Sequence, residues 1–295
     1  MKNNNSVLGA IFAITATALW AGNFIIARGL NTSVPPVTLA FWRWCVATLC
    51  LLPFAYSYLR KEFPILKKHK YYILGVAFSG ITVFNTIIYL AAQTTTALNL
   101  SLISITFPIF IILISRFVFK EAFGIFKIIG ILLVLLGVVT LITKGNYNSL
   151  LSLKFAIGDA WMLLAALIFA IYSILLRKKP KGLNILSLQL STFVIGLILL
   201  IPPFLIEQNK SFEVNYSWNV IAQILYIGVF SSLAAFILWN KAIDIIGPTK
   251  SGIIYYTLPI FSGLLAFLFL NEKIEYLHLI SAILIIFGVV LTNRK

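Results

Sequence analysis

Apolar residues fill this chain in long runs broken by short polar stretches, without the alternation that marks half-buried strands. The runs are about 17 to 25 residues long, which is what a helix needs to cross roughly 30 Å of hydrocarbon. They predict ten spans: 7–27, 36–58, 71–92, 97–119, 124–143, 155–176, 185–206, 218–240, 249–270 and 276–292. The longest polar connections, Arg60 to Lys70 and Gln208 to Ser217, are only of loop length and leave no room for a soluble domain. The expectation is an all-α integral membrane protein.

The spans repeat. Thr106-Phe107-Pro108-Ile109-Phe110 is followed by Glu121 thirteen residues past its proline, and Thr257-Leu258-Pro259-Ile260-Phe261 by Glu272 at the same distance. Gly137-Val138-Val139 and Gly288-Val289-Val290 keep the same offset of 151. Earlier in the chain, Gly9 matches Gly158, Arg28 matches Arg177 and Pro53 matches Pro202, all at an offset of 149. This is an internal duplication, with units expected over 1–147 and 148–295 and a polar seam from Lys144 to Lys154. Five spans per unit is an odd number, so the second unit enters the membrane from the opposite face. The result is two inverted five-helix repeats, the plan by which transporters build two related gates around one midplane site.

With 61% hydrophobic and 11% charged residues, the chain has too little polar surface to cover a water-soluble globule. That changes the meaning of its net charge of +15. In a soluble protein it would suggest nucleic acid; here it predicts basic loops on the cytoplasmic side. With the amino terminus inside, Arg60, Lys61, Lys67, Lys68, Lys70, Arg116, Lys120, Lys127, Arg177, Lys178, Lys179, Lys181, Arg294 and Lys295 all fall on that side. Cys45 and Cys50 have neither a CxxC nor a metal spacing, and no catalytic constellation, cofactor loop or metal cluster is recognisable. Neither an enzyme nor a cofactor is therefore expected.

The candidate chemistry lies in polar groups within spans, since each must find a partner helix or a wet cavity. Trp20 and Asn23 either line a substrate path or join helices, and the same alternatives hold for Asn85 and Tyr89, which share a helix face. Arg43, flanked by Trp42 and Trp44, either snorkels to the outer interface or binds a carboxylate there. Trp239 and Asn240 read as an interfacial pair before Lys241. Pro108 and Pro259 each remove a helix hydrogen bond, with Ser101, Ser104, Thr106, Ser251, Tyr255, Tyr256 and Thr257 clustered before them. These segments are either cavity walls with hinges or simple packing kinks. No acid falls at a span centre, which argues for neutral, zwitterionic or anionic cargo; Asp159 is the one acid to test for proton coupling. Glu121 and Glu272 read as helix-start carboxylates. Gly130 and Gly137, matched by Ser281 and Gly288, predict that spans 5 and 10 pack closely on each other.

Leu19-Trp20-Ala21-Gly22-Asn23-Phe24, Arg43 after Pro36, Phe107-Pro108-Ile109 with Glu121, and Gly247-Pro248 leading to Leu258-Pro259-Ile260-Phe261 with Glu272 together resemble the EamA family of the drug/metabolite transporter superfamily. The resemblance implies ten helices, both termini in the cytoplasm and a central cavity between inverted halves, in a multi-pass protein of the bacterial cytoplasmic membrane. It also implies export of amino acids or related metabolites. The substrate-binding residues would be Trp20, Asn23, Arg43, Asn85, Tyr89, Tyr255 and Tyr256, with Pro108 and Pro259 as hinges. The small-residue heptads of spans 5 and 10 are similar to the dimerisation helix of small multidrug resistance proteins, so a homodimer is one partner to consider beside the metabolite and the bilayer. Those relatives carry a first-helix glutamate that this chain lacks, which argues against cationic drugs. A nucleotide-sugar or lipid-linked sugar carrier, and a non-transporting membrane assembly partner, are the other classes to separate.

Overall fold

The structure, a computed structural model, describes residues 2–30, 33–95, 103–104, 106–120, 124–143, 146, 148, 156–209, 214, 216–270 and 276–292. Among these, ten helices account for nearly all of the chain. They are α1 (Lys2–Leu30), α2 (Pro36–Lys68), α3 (Lys70–Thr94), α4 (Thr106–Phe119), α5 (Ile125–Thr143), α6 (Ile157–Arg177), α7 (Ile185–Gln208), α8 (Trp218–Tyr255), α9 (Leu258–Leu270) and α10 (Tyr276–Thr292). Six of them carry a stretch long and apolar enough to cross a membrane: α1, α2, α3, α6, α7 and α8. The rest include shorter apolar helices.

Two helices outrun their predicted spans. The 33 residues of α2 make about 50 Å of helix, far more than the roughly 30 Å of hydrocarbon, so the charged turn from Arg60 to Lys68 continues as helix rather than loop. Residues that read as a polar connection keep the helix because Glu62 reaches from it to the backbone N–H of Asn184, at the start of α7, at 2.8 Å. Helix α8 also runs past Asn240 and is kinked within its length at Gly247, whose φ of 80° breaks the helical course before Pro248. That conformation suits glycine, and the segment after it leads into α9.

Pro259 occupies a different place from the one its sequence position suggests: it is the second residue of α9, after a turn at Tyr256 and Thr257. At a helix start a missing N–H is one of the groups that has no intrahelical partner anyway. Pro259 therefore begins a new helix instead of kinking a continuous one. Pro108 lies in α4, and residue 105, between it and the helical residues 103–104, lies outside the described residues.

Helices from the first half pair antiparallel with helices from the second. Glu207, near the end of α7, accepts from the backbone N–H groups of Val37 and Thr38 at 3.1 and 2.6 Å and from the Thr38 hydroxyl at 2.8 Å. With Glu62 at the other end, α2 and α7 cap each other. Helix α5 lies against α10 so closely that a Cβ on Gly288 would be 2.6 Å from the Gly130 carbonyl oxygen, and one on Gly137 3.0 Å from that of Ser281. The sequence expectation of contact between spans 5 and 10 holds, and the two small-residue faces cover each other within one chain. The same spacing recurs in the other pairs. Gly9 of α1 abuts Ile245 and Ile246 of α8, and Gly158 of α6 abuts Thr94 and Thr95 at the end of α3.

One end of the bundle gathers the basic residues. Lys179 pairs with Asp244 at 3.3 Å, Arg177 stacks on Phe119 at 4.1 Å, and the Tyr72 hydroxyl donates to the Leu175 carbonyl. At the opposite end, Asp159 in the first turn of α6 accepts from the Ala156 N–H at 2.7 Å and from the Thr95 hydroxyl. Both α3 and α8 carry a π-helical segment at mid-length, Phe78–Val83 and Ile227–Ala234. Such wide turns free backbone carbonyls and commonly mark functional positions.

Candidate functional site at the bundle centre

Arg43 organises the centre. It is 0% exposed, and its guanidinium is held entirely by neutral oxygens. Nε donates to the Ser232 hydroxyl at 2.7 Å, and Nη1 donates to Asn85 Oδ1 at 2.9 Å, to the Tyr89 hydroxyl at 2.5 Å and to Asn23 Oδ1 at 3.3 Å. The Tyr89 hydroxyl in turn donates to Asn23 Oδ1 at 3.2 Å. Nη2 has no partner.

Local structure explains the convergence. Asn85 and Tyr89 are one helical turn apart on α3, directly after its π segment, and Asn85 Nδ2 reaches back to the Gly80 carbonyl at 3.4 Å. Ser232 belongs to the π segment of α8 and donates to the Ile227 carbonyl at 2.8 Å, leaving its lone pairs for Arg43. Three consecutive residues of α2 diverge because each turns about 100° from the last. Trp42 faces outward and donates to the Tyr216 hydroxyl at 3.1 Å, whereas Trp44 is wholly buried against Phe193 and Phe236. Only Trp42 matches the interfacial reading of this triplet. Arg43 does not snorkel, because its side chain turns into the bundle toward four polar partners.

The acids are elsewhere. Each of the four described acids is engaged near a helix end or at the basic face: Glu62 with Asn184, Asp159 with Ala156 and Thr95, Glu207 with Val37 and Thr38, and Asp244 with Lys179. Glu121 and Glu272 lie outside the described residues. Arg43 is thus a buried cation without a carboxylate among the described residues. Burying a charge costs several kcal/mol, only partly offset by hydrogen bonds to neutral groups.

Beside this cluster is a small cavity lined by Trp20, Asn23, Phe84, Asn85, Ile88, Phe169 and Tyr255. Its volume of about 20 Å³ holds roughly one water. The walls are aromatic. Trp20 meets Phe169, Phe236 and Trp239 at ring-centre distances of 5.5, 5.6 and 5.2 Å, and Tyr255 stacks on Phe107 at 5.4 Å. The Trp20 indole N–H is already committed to the Ser231 carbonyl at 2.9 Å.

Of the residues singled out from sequence, the structure brings Asn23, Arg43, Asn85 and Tyr89 into one network and sets Trp20 and Tyr255 in the cavity wall. It does not bring Tyr256 there. One residue further along the helix than Tyr255, Tyr256 points into the contact between Val134, Val138 and Ile285 of α5 and α10. Ser101 lies outside the described residues.

A second network involves Trp239 and Asn240, read from sequence as an interfacial pair; they are 0% and 5% exposed, buried inside the bundle. The Tyr172 hydroxyl donates to Asn240 Oδ1 at 2.9 Å, Asn240 Nδ2 donates to Gln189 Oε1, and Trp239 Nε1 donates to the Ser173 hydroxyl at 3.3 Å. The repeat held the signal. Adding its offset of 149 to Asn23 gives Tyr172, and adding 151 to Tyr89 gives Asn240. Phe84, Ile88 and Phe169 had no signal, since apolar residues in an apolar span carry no mark of the cavity they line.

These features define a multi-pass membrane protein in which polar groups from several helices converge on an internal cavity. The profile of the EamA-like transporter family matches residues 7–143 and again residues 156–294. The chain belongs to that family. It is 29% identical over 292 residues to an uncharacterized transporter of Archaeoglobus fulgidus, covering 99% of both chains. It is 27% identical over 298 residues to the uncharacterized transporter YetK of Bacillus subtilis, covering 98% of this chain and 88% of the relative. A crystal structure of another protein matches with a TM-score of 0.77 over 97% of this chain and 96% of that one, at 19% identity, a likeness of fold. Family and relatives together support a transporter role with a small-molecule substrate.

Proposed function

We propose that this protein is a secondary transporter that exports small amphipathic metabolites, amino acids first among them, by alternating access across a bacterial cytoplasmic membrane. The observation that carries this reading is the junction of the Arg43 network with the aromatic cavity, through the shared side chains of Asn23 and Asn85. A polar cluster and a ring-lined wall in one place suit a cargo with one polar end and one apolar end.

The proposal includes two inverted repeats, 1–147 and 148–295, and the antiparallel pairing of α2 with α7 and of α5 with α10 supports it. With the basic end of the bundle in the cytoplasm, both termini face that side. Helix α1 begins there, since Gly9 lies beside Ile245, and α10 ends near the start of α5, since Thr292 lies beside Gly130. Pro108 in α4 and Pro259 at the start of α9, both next to the aromatic wall, are the proposed hinges about which α4 and α9 move to open the cavity. A nucleotide-sugar carrier would want more cationic groups for a diphosphate than the one buried guanidinium among the described residues supplies.

The test is efflux of radiolabelled amino acids from proteoliposomes holding the purified protein, with empty liposomes as control. The expected result is saturable efflux, strongly reduced in Asn23→Ala and Tyr89→Ala. Folded protein with no saturable efflux of any amino acid would remove that cargo class.

A further inference from the structure

We infer that the group this transporter recognises is a carboxylate, held by Arg43, and that the ammonium of an amino acid contributes nothing to recognition. The inference rests on the transport reading above and narrows its substrate class to ring-bearing small carboxylates, with or without an amine.

Three observations carry it. First, Arg43 is fully buried, its Nη2 has no partner, and every group that faces it is neutral: Asn23, Asn85, Tyr89 and Ser232. The contacts at Nε and Nη1 fix the guanidinium plane and leave the Nη2 edge unused. A carboxylate oxygen can accept a short charge-assisted bond from Nη2 and supplies the missing counter-charge. Second, none of the four described acids faces the cavity, so an ammonium finds no anionic partner among the described residues. The oxygens of Asn23 and Asn85 already accept from Arg43, and the Tyr89 hydroxyl does so too. Third, besides Asn23 and Asn85 the cavity beside the Arg43 cluster is lined by Trp20, Phe84, Ile88, Phe169 and Tyr255, which suits the flat apolar body of a ring. With room for about one water, the cavity admits ring and carboxylate only when the walls part.

The test compares three ligands that share one phenyl body: phenylacetate, phenylalanine and phenethylamine. Binding to the purified full chain is measured by calorimetry, and flux is measured in proteoliposomes. Phenylacetate and phenylalanine are expected to bind within about tenfold of each other, and phenethylamine more weakly than either by a factor of about 10 to 100. Arg43→Gln is expected to weaken both carboxylates by a similar factor. Asn85→Asp is the variant that keeps the fold: an aspartate 2.9 Å from Nη1 supplies an internal counter-ion, so it should raise the melting temperature while abolishing carboxylate binding.

Phenethylamine binding as well as phenylacetate, no binding of either carboxylate, or undiminished carboxylate affinity in folded Asn85→Asp would each overturn the inference. The two readings fail separately. Saturable flux of a neutral or cationic metabolite without carboxylate binding would leave a transporter and remove the Arg43 subsite. Carboxylate binding lost in Arg43→Gln but without flux of any ligand would keep the subsite and remove transport.

Discussion

The Tyr172 hydroxyl donates to Asn240 Oδ1 at 2.9 Å, and its repeat-related counterpart is the 3.2 Å bond from Tyr89 to Asn23, with the two residue types exchanged between the helices. The α1 position is Asn where α6 has Tyr, and the α3 position is Tyr where α8 has Asn. The bond survives because one donor and one acceptor remain across each helix pair, whichever side carries which.

This exchange makes a prediction for stability. Tyr172→Phe keeps the ring and removes the donor, and should cost about 1 kcal/mol, the usual worth of a hydrogen bond between membrane helices. Asn240→Ala should cost more, because it also strands Gln189, whose Nε2 already lacks a partner. Thermal unfolding in detergent of the two single variants and the double variant gives the coupling, which is expected to be positive. Strict additivity would mean that the bond does not form.

Gly288→Leu should be among the most damaging substitutions in the chain. Its Cβ alone would lie 2.6 Å from the Gly130 carbonyl oxygen and 2.7 Å from Val134, so α5 and α10 must separate. The expected outcome is a loss of several kcal/mol or failure to yield a monodisperse protein, whereas Gly263→Leu, with nothing within 4 Å of its Cβ, should be tolerated. Size-exclusion profiles and melting temperatures separate the two.

Glu207→Ala removes the acceptor that satisfies two backbone N–H groups at the start of α2. A helix-start carboxylate of this kind is worth about 1–2 kcal/mol. Glu207→Gln keeps one oxygen and should lose less. The order of melting temperatures, wild type above Gln above Ala, checks this; equal values for all three would show that water replaces the cap without penalty.

Trp20→Ala empties the largest ring from the cavity wall and cuts the tie to the Ser231 carbonyl. It should cost about 3–5 kcal/mol and open a cavity well beyond the present one-water space. Trp20→Phe retains the ring contacts and should lose only the hydrogen bond, about 1 kcal/mol. Melting temperatures of the two variants, set against binding of phenylacetate, separate packing from recognition.

Much of the fold follows from the sequence alone, because helix spans in lipid are fixed by run length and apolarity. The boundaries of α6 and α7 fall within two residues of those read from the chain. Where boundaries moved, tertiary contacts moved them: α2 continues because Glu62 caps α7, and α8 continues past Asn240 with a kink at Gly247. The pairing of α5 with α10 was legible because small residues at heptad spacing mark a face where helix backbones approach closely.

The site was legible only as a set of residue types. That Asn23, Asn85 and Tyr89 needed partners followed from the cost of burying polar groups in an apolar run, and the sequence alone determined that much. It did not determine that all three share one partner, Arg43. That partner read as interfacial because linear position places it two turns from a helix start between tryptophans. Only the tertiary structure turned it inward, since the rotation of α2 is fixed by Trp44 packing on Phe193 and Phe236 and by Ser232 in the π segment of α8. Span lengths are local properties of the chain, whereas the direction in which a buried cation points is decided by other helices, whose contacting residues lie from 20 to 189 positions away.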